Sequence, residues 1–378
     1  MQKKLIAVAV AGALSAPALA LAQASTLQIY GRAVFEYGYV NQAGNKPNMD
    51  QLQGPGGQSI GFKGTEALGG GLSAWYQCES SADIRGDVAA GFCTRNSALG
   101  LKGGFGSVYV GKWDTPYKRV MLAGEVGTED TGFMGVADYL SGGSTGAGAG
   151  GVIGRTLWQR RQHDSINYDT PTFSGFTGHF AFSASNATAT TNASTSAKPR
   201  IWSVAGLYAN GPLNLGLAYE RHVEFGTTGG DDYAWSVSGS YRFAQVLVGG
   251  SYNKQDYDLG AGTSADKRAW HLGVEWFISG PHVVYGSYTQ AGDTGGTAGA
   301  TPGGFIPGAG ANTGVEKWMI GYKHNFSKRT DAKLAYVRLN NDSAASYNLM
   351  GTVNTGNTAA QSAGKHQDAW VMLLRHAF

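Results

Sequence analysis

Residues 27–39 alternate without a break. Leu27, Ile29, Ala33, Phe35, Tyr37 and Tyr39 fall on one side, and Gln28, Tyr30, Arg32 and Glu36 on the other. Successive side chains of a β-strand point to opposite faces, so this is a strand with one apolar and one polar face. The pattern returns along the chain. Leu213, Leu215, Leu217 and Tyr219 oppose Asn214, Gly216, Ala218 and Glu220, and Trp270, Leu272, Val274, Trp276 and Ile278 oppose His271, Gly273 and Glu275. It persists to the last residues, where Trp370, Met372, Leu374 and Phe378 share a face. Two stretches, 282–290 and 331–340, leave the face undecided. A soluble sandwich would turn the apolar side into its core. A membrane barrel would turn it to lipid and line water with the polar side.

The connections separate these outcomes. The pattern predicts strands near 26–40, 58–66, 71–79, 94–102, 106–113, 161–170, 175–185, 200–209, 213–223, 232–243, 245–256, 267–278, 281–290, 315–324, 330–340 and 366–378. Tight turns such as Leu68-Gly69-Gly70, Asn210-Gly211-Pro212 and Ser279-Gly280 alternate with longer loops rich in Gly, Ser, Thr and Asn. Short turns on one side and long loops on the other mark an antiparallel transmembrane barrel. The expected fold is therefore all-β, a 16-stranded antiparallel transmembrane β-barrel. A barrel this wide cannot be filled by its own side chains, so water occupies it.

Residues 1–24 read as a signal peptide, with Lys3 and Lys4, an apolar run from Leu5 to Leu14, and a small-residue cleavage site at Ala22-Gln23-Ala24. The barrel domain then spans 25–378. No later segment approaches the roughly 18 apolar residues of a membrane helix. The formal charge of +3 falls by two, to +1, once Lys3 and Lys4 leave with the signal, and the remaining basic residues are scattered. Nothing there marks a nucleic-acid partner. Cys78 and Cys93 are the two cysteines. In an exported chain such a pair reads as a disulfide, with two free thiols as the alternative.

The longest connection, 114–160, is rich in Gly and shows no sustained period of 2 or 3.6. A loop of that length inside a compact domain calls for a function. Folded into the lumen as the barrel's third loop, it would form a constriction; the alternative is a mobile surface loop. Its acids Asp114, Glu125, Glu129, Asp130 and Asp138 would then face basic residues on the wall. Gly146, Gly148 and Gly151 match G-x-G-x-x-G, but no strand or dinucleotide unit surrounds them. His163, Asp164 and Ser165 are read as strand residues rather than a triad. The eight His residues show no metal-binding spacing, and no cofactor or metal is expected.

Several stretches resemble the general porins of Gram-negative outer membranes, in particular the beta-proteobacterial and neisserial type. They include Ser25-Thr26-Leu27-Gln28-Ile29-Tyr30-Gly31, the run from Ile60 to Leu72, Gly106-Ser107-Val108-Tyr109-Val110-Gly111-Lys112, Ser165-Ile166-Asn167-Tyr168-Asp169-Thr170-Pro171, Phe326-Ser327-Lys328-Arg329-Thr330, and the ending Leu374-Arg375-His376-Ala377-Phe378. The resemblance implies an outer-membrane homotrimer, set among lipid and lipopolysaccharide, whose pores are narrowed by the third loop and pass small hydrophilic solutes and ions. It implies that Phe378 carries the signal read by the assembly machinery. Lys112 falls where the family commonly has Arg, and Arg161 precedes the sixth strand where another is common. Ser59 stands where the family often has Arg, which removes one wall charge; Arg32, Lys63, Arg95 and Arg242 are candidates to compensate.

The expected basic wall is therefore Arg32, Lys63, Lys112 and Arg161, set against the loop acids. Opposed charges across a constriction orient dipoles and filter ions. Three rival readings remain: a substrate-selective channel, which would need an aromatic track beyond Tyr30, Trp75 and Tyr109; a barrel enzyme with a catalytic cluster at its rim; and a surface adhesin.

Overall fold

A computed structural model describes residues 26–42, 49–53, 57–82, 91–129, 132–142, 155–184, 199–225, 230–303, 306–349 and 363–378. The signal peptide, Asp130 and the G-x-G-x-x-G stretch lie outside the described residues.

The strands are β1 (Thr26–Gln42), β2 (Met49–Gln53), β3 (Ser59–Gly69), β4 (Leu72–Ser81), β5 (Ser97–Gly103), β6 (Gly106–Asp114), β7 (Arg161–Asp169), β8 (Phe176–Ser183) and β9 (Arg200–Asn210). They continue as β10 (Leu213–Val223), β11 (Asp232–Phe243), β12 (Val246–Gly260), β13 (Thr263–Ser279), β14 (His282–Ala291), β15 (Gly295–Gly296), β16 (Val315–Asn325), β17 (Thr330–Asn341) and β18 (His366–Ala377). Sixteen of these match the strands expected from alternation. The other two are short: β2 pairs with Glu36–Val40 of β1, beyond the stretch of β1 that β3 takes, and β15 pairs with Ala265 and Asp266 of β13.

Every pairing between these strands is antiparallel, and each long strand bonds its neighbours in sequence. The ring closes where β1 pairs with β18, from Arg32↔Ala377 to Gln42↔Gln367. Phe378 completes the seam: its N–H donates to the Gly31 carbonyl at 3.0 Å, and Gly31 N–H donates to the Phe378 carbonyl at 3.1 Å.

The alternation sorts the faces. Leu27, Leu99 and Leu217 are 60–65% exposed, whereas Glu36, Glu220 and Gln255, on the other parity, are fully buried. A band of exposed Leu, Ile, Val, Phe and Trp side chains around a closed ring is the lipid-facing surface of a membrane barrel. Exposed aromatic residues near strand ends, among them Tyr241, Phe243, Trp276 and Tyr322, fit the interfacial girdles.

One connection departs from expectation. Between β12 and β13 the spacing predicts one of the longer loops, 257–266. Instead both strands lengthen and meet at a tight turn. Gly260 and Gly262 have positive φ there (79° and 76°), a conformation glycine adopts readily, and Ala261 between them shares it at 51°.

Candidate functional site: the constricted lumen

The 114–160 connection carries two helices, α1 (Pro116–Ala123) and α2 (Ala137–Ser141). Absence of periodicity hid them, yet α1 has a local signature. Thr115 caps it, its side chain accepting from Lys118 N–H, and Pro116 occupies the first turn, where its missing N–H costs nothing.

The segment touches strands all round the ring. Tyr117 N–H donates to Ser203 Oγ on β9 at 3.1 Å, and Tyr117 Oη to Asn253 on β12 at 3.2 Å. Gln255 donates to the Leu140 carbonyl at 2.6 Å, and His271 Nε2 sits 3.0 Å from the Val126 carbonyl. On β1, Glu36 accepts from the N–H groups of Phe133 and Met134 at 2.8 and 3.3 Å. Every one of these wall residues has the parity opposite to the lipid-facing side chains. One segment that meets β1, β9, β12 and β13 of a closed ring on that face lies inside it.

The wall is shaped to receive it. Glycines occupy inward positions under the loop, and a Cβ on Gly273 would fall 1.7 Å from the Val126 carbonyl oxygen. A Cβ on Gly38 would meet the Phe133 ring at 2.4 Å. Backbone thus lies directly on backbone. A later connection joins the plug: Tyr139 Oη donates to the Asn348 carbonyl at 2.6 Å, and the Lys317 ammonium reaches the Gly135 and Leu349 carbonyls.

The charges are arranged differently from a simple acid loop against a basic wall. Glu129 follows that scheme deep in the lumen, as Asp114 does at the loop's root. It pairs with Lys333 and, at 3.3 Å, with Arg375, which also holds Asp331 at 2.7 Å. Burial alone would raise the Glu129 carboxyl, but the Lys333 ammonium and Arg375 guanidinium outweigh it and hold it below the usual carboxylate range, with Arg32 adding to the field. Elsewhere the polarity reverses. The loop residues Arg119 and Arg155 reach the wall acids Asp169, at 3.0 Å, and Asp232, at 2.5 Å. Burial pushes Arg160 down to about 10, against the pull of Glu220, which leaves it cationic at neutral pH.

The remaining expected residues fall as follows. Asp114 ends β6 and binds Lys118 at 3.0 Å and Arg161 at 3.3 Å, so this basic wall residue does meet a loop acid, at the loop's root. Asp138 is buried on α2 and accepts from Gln159. Glu125 is half-buried just past α1. Arg32 donates to the Gly57 carbonyl at 2.8 Å. Lys63 lies over the Tyr30 ring at 4.9 Å. Lys112 stands in register with Ser97, on the parity of Val108 and Val110 rather than that of Tyr109 and Trp113, outside the set that faces the loop. Cys78 and Cys93 are bridged, their Cα atoms 4.8 Å apart.

Sequence reasoning passed over Lys333 and Arg375. Parity was the available signal for Arg375, which falls between the outward Leu374 and His376. For Lys333 it was weaker, since 331–340 reads ambiguously.

Because the loop leans on β9–β14, the β3–β7 side of the lumen stays open. A recess of about 1060 Å³ lies there, toward the short turns, lined by Gln28, Lys63, Trp75, Lys102, Tyr109 and Trp113 among others.

The model of the Gram-negative porin family matches residues 7–344. The chain is 28% identical over 392 residues to outer membrane porin protein 32 of Delftia acidovorans, covering all of both chains. It is 30% identical over 234 residues to the major outer membrane protein P.IB of Neisseria meningitidis, covering 59% of this chain and 60% of that one. Among solved structures, the anion-selective porin from Comamonas acidovorans superposes with a TM-score of 0.73 at 22% identity, covering 94% of this chain and all of that one. The in-vitro folded trimer form of OmpT from Vibrio cholerae gives 0.63 at 16%, again covering 94% and 100%. With the closed barrel, its greasy exterior and its plugged polar lumen in place, the chain belongs to the Gram-negative porin family, outer-membrane channels through which small hydrophilic solutes diffuse passively.

Proposed function

We propose that this channel works as a homotrimer, catalyses no reaction, and favours small anions over cations. The observation that carries the preference is a set of three inward cations without an acidic partner among the described residues, against which stands Glu36, held by backbone N–H groups. Glu129, Asp169, Asp232, Glu275 and Asp331 are each engaged by a basic side chain. Lys63, Lys102 and Arg242 sit on inward positions and form no ion pair among the described residues. An uncompensated charge about 5 Å from a passing ion in bulk-water dielectric is worth about 0.8 kcal/mol, roughly a fourfold bias in local ion concentration. Against this, Ser59 leaves one wall position without a charge. The trimer rests on the likeness to the Vibrio cholerae trimer form.

Planar-bilayer recording in a potassium chloride gradient tests the reading. A reversal potential of anion-selective sign, with closures in three equal steps, is expected. A cation-selective potential refutes the charge argument, and single-step closure refutes the trimer.

A further inference from the structure

The recess on the β3–β7 side holds features that passive conduction does not use. The rings of Trp75, Tyr109 and Trp113 touch one another, with centroids 5.2–5.7 Å apart. They are held in place: Trp75 Nε1 donates to Ser107 Oγ at 3.0 Å, and Tyr109 Oη is fixed by Arg119 and lies 3.4 Å from Asp169. Trp75 and Trp113 remain half-exposed along the recess. Keeping large apolar rings against water is unfavourable, and a wall of Ser and Gln would conduct as well without them.

The same cavity is lined by Lys63 and Lys102, whose ammonium groups form no ion pair among the described residues. Among the described residues that line it the one carboxylate, Asp169, is already engaged by Arg119 at 3.0 Å and His179 at 2.8 Å. Rigid ring faces beside two free ammonium groups suit one ligand class.

We propose that this recess is a binding subsite for small planar organic anions, aromatic carboxylates above all, on the turn side of the constriction. The ligand ring packs against Trp75 and Trp113 together, and Lys63 and Lys102 jointly hold its carboxylate. A neutral sugar would use the same rings, but it gains nothing from two ammonium groups and finds no free carboxylate to accept its hydroxyl protons. The inference rests on the channel reading above and adds a substrate class to it.

Calorimetric titration of the full-length protein in detergent, with 4-hydroxybenzoate, its neutral amide, acetate and maltose, tests the assignment. Saturable binding of 4-hydroxybenzoate is expected, about tenfold tighter than that of the amide or acetate. Trp113→Ala and Lys102→Gln should each weaken it by about tenfold, through loss of stacking in one and of charge pairing in the other. Lys102 is exposed, so its variant keeps the test open should Trp113→Ala not fold. No saturable heat, tighter binding of maltose, or wild-type affinity in a folded variant overturns the subsite. Bilayer conductance of the same preparation separates this from the channel reading: pores that conduct without binding the benzoate refute the subsite alone.

Discussion

At the scale of single residues, Glu129 is the joint between plug and wall. Its two cationic partners come from β17 and β18, neighbours in the sheet. Glu129→Gln leaves Lys333 uncompensated and Arg375 with Asp331 as its remaining partner, so the anion preference should rise by a fewfold, about the bias one free charge imposes at close range; reversal potentials would reveal it. The pH behaviour follows from the lowered pKa of this carboxyl. A group depressed in the folded state stabilises fully above its unfolded value, near 4.3, and loses that contribution as pH falls through the folded value. Conductance should therefore hold steady from neutral pH to about 4.3 and turn noisy below it, and Glu129→Gln should abolish that transition. The choice of partners was only partly legible beforehand. Alternation separates the two faces, as at Tyr109 between Val108 and Val110, whereas Lys112, expected on the basic wall, falls on the parity of Val108 and Val110. It gives no way to learn which inward cation a distant loop acid will meet, because that depends on how the loop lies.

At the scale of elements, the strands were readable because one face meets lipid and the other water, which writes a period of two into the chain. The loop was not, because its helices are short, eight and five residues, and bury polar residues such as Lys118 and Asp138 along with apolar ones, so no sustained period of 3.6 develops. Tyr117, Val120, Met121, Phe133 and Leu140 are all inaccessible to solvent. The cap at Thr115 offers a check. Thr115→Ala should cost about 1 kcal/mol and speed amide exchange across α1 by about fivefold. The inward glycines offer a sharper one. Gly273→Ala places a methyl group against the Val126 carbonyl, which cannot yield without moving the loop. Single-channel conductance should shift in this variant, while Gly211→Ala, at a turn with open space around it, should alter conductance little. The Cys78–Cys93 bridge closes 15 residues, worth about 3 kcal/mol in the chain-entropy model. Replacing both with Ser should raise protease sensitivity near 79–96 and leave the strand content of the barrel intact by circular dichroism.

At the scale of the whole molecule, the number of strands, their antiparallel order and the side from which the turns emerge could all be read from spacing. Two things could not. One is that a short separate strand, β2, precedes β3 and pairs with Glu36–Val40 of β1. The inward fold of the 342–349 segment onto α2 follows from tertiary contacts, notably those of Tyr139 and Lys317. The seam carries a prediction of its own. Removing Phe378 deletes two backbone bonds to Gly31 and should lower the yield of folded barrel, measurable by heat-dependent mobility on gels. Its pairing also sets the order of events during biogenesis. The strand translated first finds its mate more than 320 residues later, so the cylinder has two bare margins until the very end. Each is a template for unwanted strand addition, and long-range closure is slow. A nascent polypeptide of this design therefore requires custody by an escort from export until the hoop is shut, and a copy lacking its final strand is left as an open sheet that cannot breach the membrane it was meant to perforate.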